Sequence, residues 1–321
     1  MKKSDTSRRD LLKGGAVAVI GAGASGAAFG QSQAPAATAI EASSPVTVDT
    51  VQCAEALFDV QYSDSEREQL VMEIDDWIDR MTQHRGLEKP NTLAPASVFD
   101  PRLPGRAYRA QDGGVIASGA RAGPLPSDDA AIAFAPVWKL STWLHAGQLT
   151  SRRLTEIYLD RIARHGSTLE CFVTVTPDIA RREADICDLE FAEGRSRGPL
   201  HGIPYGMKDI IDVAGVAATW GATPYRDRVA ETDAAVTQRL REAGAVLLGK
   251  TTNGAIAYGD RWFGGVTRNP WNTAEGSSGS SAGSASATAA GLIGFGIGTE
   301  TLGSIVSPSN RCGTTGLRPT F

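Results

Sequence analysis

Apolar residues first recur at helical spacing within residues 62–81. Their side chains fall on one side of a helix with 3.6 residues per turn, which predicts an amphipathic helix packed on a core. Two N-cap arrangements are compatible with the sequence, Ser63 with Glu66 or Ser65 with Glu68. The recurring apolar residues are Leu70, Ile74, Trp77, Ile78 and Met81.

Proline interrupts the pattern between residues 86 and 128, which contain six prolines. Such spacing predicts a long irregular arm and makes it the best domain boundary. The chain is therefore expected to comprise an export signal (1–30), a spacer with the helix and the proline-rich arm (31–128), and a core (129–321).

From Asp129 onward, helical and β patterns alternate along the chain. The segments PVWKLSTWLHAG and SRRLTEIYLDRIARHG are predicted helices, each ended by a glycine. CFVTVTPD, GIPYGMKDIIDVAG, AVLLG and IGFGIGTE are predicted strands, and DIARREADICDLEFAEG, TDAAVTQRLREAG and SASATAAGL are predicted helices. This alternation predicts an α/β fold in which helices sandwich a mixed or parallel sheet, preceded by an N-terminal helical arm.

Composition and charge indicate which kinds of binding partner to expect. The 321 residues are 41% hydrophobic with a formal net charge of −4, as in ordinary globular proteins. No basic cluster occurs in the body of the chain, so we expect small-molecule partners and no nucleic acid. The four cysteines lack the paired spacings of a zinc site, and both a disulfide and buried free thiols stay open. No metal or cofactor is assigned, and a homodimer is compatible with the sequence.

The N-terminus has the pattern of an export signal. Arg8 and Arg9 precede a short run rich in glycine and alanine, and SRRDLLK resembles a twin-arginine signal. The run is short and poor in leucine for a spanning helix, so no permanent membrane anchor is expected. Cleavage near Gly30 predicts a periplasmic or secreted protein whose partner during export is the twin-arginine translocase.

Two phosphate-binding motifs match in form. GAGASG, residues 21–26, satisfies G-x-G-x-x-G but lies within the export signal, and no helix pattern follows it. GAVLLGKT, from Gly244 to Thr251, satisfies the P-loop expression, although its middle residues are apolar and strand-like. A core strand is the favoured interpretation of the second motif, and an ATPase remains the alternative.

A run of glycine and serine, from Gly276 to Gly291, has the composition of a flexible linker but lies between predicted core elements. Within it, GSSAG places Ser281 in a nucleophile-elbow pattern. All four histidines precede Ser281, so that serine has no downstream histidine as its base.

A lysine is the candidate base for a serine in this half of the chain. Lys208 follows an apolar strand, where burial disfavours the charged amine and leaves a neutral group able to accept a proton. The competing interpretation is a structural ion pair between Lys208 and Asp209 or another carboxylate.

Five segments in the same order resemble the amidase signature family over about residues 129–321. They are GIPYGMKDIID, GKTTNGAIAYG, GGVTRNPWN, the glycine and serine run, and TETLGSIVSPSNRCGTTGLRPT. The resemblance implies the amidase signature fold and hydrolysis of a small-molecule amide. It also implies that the run belongs to a catalytic loop.

The family's catalytic unit is a Ser-cisSer-Lys triad. By position, the lysine matches Lys208 and the nucleophile matches Ser304 in TETLGS. The bridging serine, 24 residues earlier in the family's spacing, matches Ser280. The resemblance implies that Lys208 deprotonates Ser280, which deprotonates Ser304 for attack on the amide carbonyl. The oxyanion donors implied are the backbone N–H groups of Thr301, Leu302, Gly303 and Ser304.

Three residues depart from the family's usual T-D-T-G-G-S-I-R. This chain has Glu300 for the acid, Leu302 for the first glycine and Val306 for the arginine. The family also continues well past residue 321, so we expect the chain to be incomplete at its C-terminus. A catalytically inactive binding module is therefore a second alternative. An aminoacyl-tRNA amidotransferase subunit is disfavoured, because export would separate the protein from tRNA.

Overall fold

A computed structural model describes residues 46–90, 93, 96, 99–108 and 121–319. The predicted export signal and the GAGASG motif lie outside these residues. The chain divides between Pro95 and Ala96 into two compact units. In the described part, no helix combines the length and the apolar character needed to cross a bilayer.

The first unit contains two helices, α1 (Val48–Phe58) and α2 (Asp64–Gly86). Helix α1 begins at Val48, within residues 31–50, whose composition predicts an unstructured spacer, because Thr47 caps its N-terminus. Of the two N-cap arrangements for α2, the structure has Ser63 with Glu66, and Ser63 N donates to Glu66 Oε2 at 2.7 Å.

The expectation that α2 packs on a core is wrong for the described residues. None of its residues is buried, and Trp77 is 56% exposed. Helix α1 has only 11 residues against 23 in α2, and it contacts α2 partly through the ion pair between Glu55 and Arg67 at 2.6 Å. That contact lies at Arg67, ahead of the apolar stripe, and most of the stripe stays exposed.

The second unit supplies the remaining regular elements. Its helices are α3 (Asp129–Ala133), α4 (Val137–His145), α5 (Ser151–Leu169), α6 (Pro177–Ala192), α7 (Ala235–Glu242), α8 (Ala282–Ala289) and α9 (Val306–Cys312). Its strands are β1 (Phe172–Val175), β2 (Pro204–Lys208), β3 (Val246–Thr251), β4 (Arg261–Trp262), β5 (Gly265–Val266), β6 (Arg268–Asn269), β7 (Asn272–Gly276) and β8 (Phe295–Ile297). Short 3-10 turns form at Thr223–Tyr225 and Ala255–Ala257.

Four strands form one sheet in the order β1-β3-β2-β8. Strand β1 runs antiparallel to β3, whereas β2 runs parallel to both β3 and β8. Strands β4 with β5 and β6 with β7 form two small antiparallel pairs. The predicted α/β fold with a mixed sheet between helices is thus confirmed.

Apolar side chains pack on both faces of this sheet. On one face, Ile203, Val246 and Leu248 pack with helices α4, α5, α6 and α8. On the other, Tyr205, Met207 and Leu247 pack with Leu240 of α7. Along β3, the alternation of side chains places Leu247 on the face opposite to Val246 and Leu248.

Helix α5 does not end at Gly166, where the sequence predicted its end, but continues to Leu169. Leu169 is 5% exposed in the core, so burial of its side chain stabilises the last turn. The chain leaves the helix at Glu170, whose φ is +49°. Helix α4 does end before its glycine, as predicted, and Gly147 has φ +65°.

We expect Gly166→Ala to stabilise the protein by about 1 kcal/mol, the difference in helix propensity between the two residues. A Cβ at Gly166 would lie 3.4 Å from Ile162 Cγ2, an ordinary contact. Gly147→Ala is the matched control, because a Cβ there meets nothing within 4 Å but φ is +65°. It should lower the free energy of unfolding by about 1 kcal/mol. Denaturant midpoints that shift in the same direction for both variants would contradict this account.

Candidate active site

Lys208 is fully buried at the end of β2. Its Nζ donates to Ser280 Oγ at 2.8 Å, to Thr299 Oγ1 at 2.8 Å and to Thr299 O at 3.3 Å. Among the described residues, no carboxylate forms an ion pair with it. Burial lowers the pKa of Lys208 to about 7, so a large share of the amine is neutral near neutral pH.

The ion pair that competed for Lys208 is formed by Lys250 instead. Lys250 Nζ lies 3.4 Å from Asp209 Oδ1, and both side chains are fully buried. Burial lowers the pKa of Lys250 and raises that of Asp209, and the attraction between the two charges opposes both shifts. The register pairs Met207 with Lys250, so the two lysines point to opposite faces of the sheet.

Ser280 lies in a buried loop directly before α8. The peptide bond between Gly279 and Ser280 is cis, and Ser280 is 1% exposed. Gly254 N donates to Ser280 O at 3.2 Å. A Cβ at Gly279 would lie 1.8 Å from Gly259 O, so only glycine allows this close approach.

Ser304 lies in the turn before α9. Ser281 N donates to Ser304 O at 3.0 Å, which places the turn beside the Ser280 loop. Within the described part of the chain, no hydrogen bond joins the hydroxyls of Ser304 and Ser280. The structure therefore brings Lys208 and Ser280 into contact and holds Ser304 next to them through the backbone.

Glu300 holds the Ser304 turn from its other end. Its Oε2 accepts from Ile305 N at 2.7 Å and Val306 N at 2.8 Å, and Arg318 lies 3.2 Å from Oε1. These partners, with the Val306 N–H first, hold the pKa of Glu300 below its ordinary value. Glu300 therefore works as an anionic cap for this turn, although it departs from the family's usual residue.

We expect Glu300→Gln to slow acylation about tenfold to a hundredfold, because displacing reacting groups by about 1 Å costs rates of that order.

Glu300 is ionised at a lower pH in the fold than in the unfolded chain. Its contribution to stability is therefore present above about pH 4.5 and is lost as pH falls through the lowered pKa. Thermal unfolding at pH 7 and pH 3.5 measures this loss.

Glu275→Gln provides the matched control for that variant. Glu275 pairs at the surface with Arg311 at 3.3 Å. We expect its replacement to leave acylation unchanged. Equal rates for Glu300→Gln and the wild type would contradict the role of Glu300 as a cap.

The four predicted oxyanion donors lie in the turn between Glu300 and α9. In the described part of the chain, the N–H groups of residues 301–304 donate to no other group. Gly303 has φ +95°, and the Leu302 side chain is 95% exposed. The turn thus presents backbone donors that a ligand oxygen could use.

Thr299 is a partner of Lys208 that the sequence motifs do not indicate. Strands β2 and β8 are parallel neighbours, and Met207 pairs with Ile297. The ends of the two strands therefore meet at one edge, where Thr299 follows β8. A polar residue just after a parallel neighbouring strand was the available signal.

The two rival motifs in the described region have structural roles. Residues 246–251 form β3 in the interior of the sheet, between β1 and β2, so their backbone cannot cradle phosphate. The P-loop interpretation of GAVLLGKT is therefore wrong. Ser281 is 3% exposed, donates to Thr299 O at 3.1 Å and accepts from Thr299 N at 3.2 Å, so its hydroxyl is engaged.

The four cysteines are free thiols in the structure. Burial raises the pKa of Cys171 to about 12 and those of Cys187 and Cys312 to about 11. The sequence left open a disulfide or buried free thiols. These three residues are buried free thiols, and Cys53 is an exposed one. Thiols with such high pKa values are poor nucleophiles.

Comparison with known proteins identifies the family. The family model described as "Amidase" matches residues 153–321, more than half of the chain. The protein belongs to the amidase family.

Similar proteins include both curated sequences and solved structures. A glutamyl-tRNA(Gln) amidotransferase subunit of Chromohalobacter salexigens is 41% identical over 186 residues, which cover 57% of this chain and 38% of the relative. The chain therefore spans well under half the length of this curated relative. The peptide amidase of Stenotrophomonas maltophilia is 42% identical with TM-score 0.51, over 55% of this chain and 38% of that one. A fatty acid amide hydrolase is 26% identical with TM-score 0.55, over 58% and 33% of the two chains.

Proposed function

We propose that this protein hydrolyses the C–N bond of a carboxylic amide through Lys208, Ser280 and Ser304. The observation that carries the proposal is the contact of 2.8 Å between Lys208 Nζ and Ser280 Oγ, made by a buried lysine whose pKa is lowered to about 7. A buried amine with hydroxyl partners suits a base, because desolvation favours its neutral form. Membership of the amidase family supports the same reaction.

In the proposed mechanism, the neutral amine of Lys208 accepts the proton of Ser280. Ser280 in turn accepts the proton of Ser304, whose Oγ attacks the carbonyl carbon. Backbone N–H groups of residues 301–304 stabilise the oxyanion, at about 3 kcal/mol for a donor of this type. The relay then returns a proton to the leaving amine, and the C–N bond breaks. Water attacks the acyl-Ser304 ester by the same relay and releases the acid.

A second candidate reaction comes from the curated relatives, which are named as amidotransferase subunits. We favour hydrolysis of a small amide, because the twin-arginine pattern at Arg8 and Arg9 predicts export away from tRNA. The two candidates share the acylation chemistry. They differ in the fate of the amine, which hydrolysis releases to solvent and an amidotransferase passes to another acceptor.

The test is turnover of a panel of small amides by the purified chain, measured as release of amine and acid in equal amounts. A fluorophosphonate probe, which loses fluoride to an activated serine, measures the nucleophile independently of the substrate. Labelling with turnover supports the proposal. A folded chain that neither reacts with the probe nor hydrolyses any amide, glutamine included, would favour the inactive binding module.

We also propose that the protein reaches the periplasm or the outside of the cell through twin-arginine export. The support is the sequence pattern at Arg8 and Arg9. Replacing both arginines with lysine is expected to leave most of the precursor in the cytoplasm. Fractionation measures this, and an unchanged periplasmic yield would contradict the route.

A further inference from the structure

Hydrogen bonds join the loop that carries Ser280 to the turn that carries Ser304 both in the interior and at the surface. In the interior, Ser281 N donates to Ser304 O at 3.0 Å. At the surface, a hydrogen bond of 2.8 Å joins the hydroxyls of Ser278 and Ser307. Ser278 precedes Ser280 by two residues and Ser307 follows Ser304 by three, so the surface bond bridges the two segments that carry the proposed catalytic serines.

Hydrogen bonds hold the backbone around Ser278 in one conformation. Ser278 has φ +62°, a left-handed conformation that costs a residue other than glycine about 1 kcal/mol. Its N–H donates to Asp260 Oδ2 at 3.1 Å, and Ser277 N donates to Thr267 O at 2.9 Å. A conformation of this kind beside a catalytic loop points to a functional reason for it.

Ser307 is tied directly to the nucleophile turn. It lies in the first turn of α9, and its N–H donates to Gly303 O at 2.8 Å. The Ser307 side chain is exposed, so water can replace its partner, and such a bond adds little to stability. Any role of the Ser278–Ser307 bond is therefore geometric and not stabilising.

We infer that Ser278 and Ser307 are positioning residues that set the distance between the hydroxyls of Ser280 and Ser304. This inference rests on the proposed function. A proton passes between two hydroxyls only within hydrogen-bond reach, about 2.6–3.2 Å. The backbone bond from Ser281 to Ser304 and the two bonds between the Ser281 hydroxyl and Thr299 hold the turn from the interior. The Ser278–Ser307 bond adds a constraint at the surface.

Ser278→Gly separates this role from a structural one. Glycine adopts φ +62° at no steric cost, so we expect the melting temperature to stay the same or to rise. The hydroxyl is lost, so the acylation rate is expected to fall about tenfold while KM stays unchanged, as for a misplaced relay. A merely structural serine would not combine an unchanged or higher melting temperature with a lower kcat.

Two further variants test the partner. Ser307→Ala is expected to cause the same fall in kcat, and the double variant should lose no more than either single variant. Ser307→Thr keeps a hydroxyl and should restore the rate. Ser65→Ala is the control, because Ser65 has a similar exposed hydroxyl contact with Ser63, at 3.3 Å, in the first unit.

The outcomes distinguish this inference from the function on which it rests. The inference alone would be overturned if the wild type reacts with the fluorophosphonate and hydrolyses amides, and if Ser278→Gly and Ser307→Ala do so at the wild-type rate. Effects of the two variants that multiply in the double variant would also overturn it, since they would show independent roles. A wild type without labelling or turnover would overturn the proposed function and this inference together.

Discussion

Replacing Lys208 with methionine is expected to slow acylation about 10²- to 10⁴-fold, the usual contribution of a positioned general base. Methionine fills a similar volume in the buried site but cannot accept a proton. Lys208→Arg should be slowed as severely, because a guanidinium stays protonated. The rate of fluorophosphonate labelling measures the activation of the serine nucleophile that acylation requires.

Lys139→Met is the control for a surface lysine, and it should label at the wild-type rate. Lys139 lies in α4 beside the Trp138 ring, 5.6 Å from its centroid. Near-full labelling of Lys208→Arg would contradict the role of Lys208 as a base. The residue would then be structural, and the relay through Ser280 would need another base.

The lowered pKa of Lys208 also makes a prediction about pH. Acylation should rise with pH through about 7, because only the neutral amine accepts a proton. Between pH 7 and 10.5 the unfolded chain binds a proton that the folded chain lacks, so stability should rise with pH in this window. The slope contributed by this one group is at most about 1.4 kcal/mol per pH unit. Lys208→Met should lack that contribution.

Replacing Ser304 with alanine is expected to reduce turnover about 10⁶-fold, as loss of the nucleophile does in serine hydrolases. The variant loses one half-buried hydroxyl that has no hydrogen-bond partner among the described residues, so its melting temperature should stay within about 1 °C of the wild type. Amine release from the best substrate of the panel measures the effect.

Ser281→Ala serves as the comparison for Ser304→Ala. The Ser281 hydroxyl bonds both the N–H and the carbonyl of Thr299. We expect the Ser281→Ala variant to be less stable than the wild type but to keep most of its turnover per folded molecule. The opposite ranking of the two variants would move the nucleophile to Ser281.

The fold of the core was largely predictable, because alternation of helical and β patterns is a local property. Strands β2 and β3 were found as short apolar runs between turns. The end of α5 was not, because burial of Leu169 outweighed the cost of Gly166 within the helix. That contact depends on the tertiary fold and leaves no local signal.

The resemblance to the family predicted which residues form the candidate site, but it did not predict the contacts between them. Lys208, Ser280 and Ser304 came from motif positions. The sequence alone could not decide between a base and an ion pair for Lys208. The register of β2 against β3 decides it, since Asp209 lies on the side of Lys250 while Lys208 meets Ser280. The partners Thr299 and Glu300 required the parallel edge of the sheet to be known.

The most direct test of the central claim is to map where a fluorophosphonate attaches to the chain. The wild type is treated with the probe and digested, and the modified peptide is sequenced by mass spectrometry. We predict a single phosphonyl adduct on Ser304, formed faster as pH rises through about 7 and nearly absent in Lys208→Met. An adduct on Ser280 or Ser281, or an adduct on Ser304 whose rate does not depend on Lys208, would contradict the proposed relay.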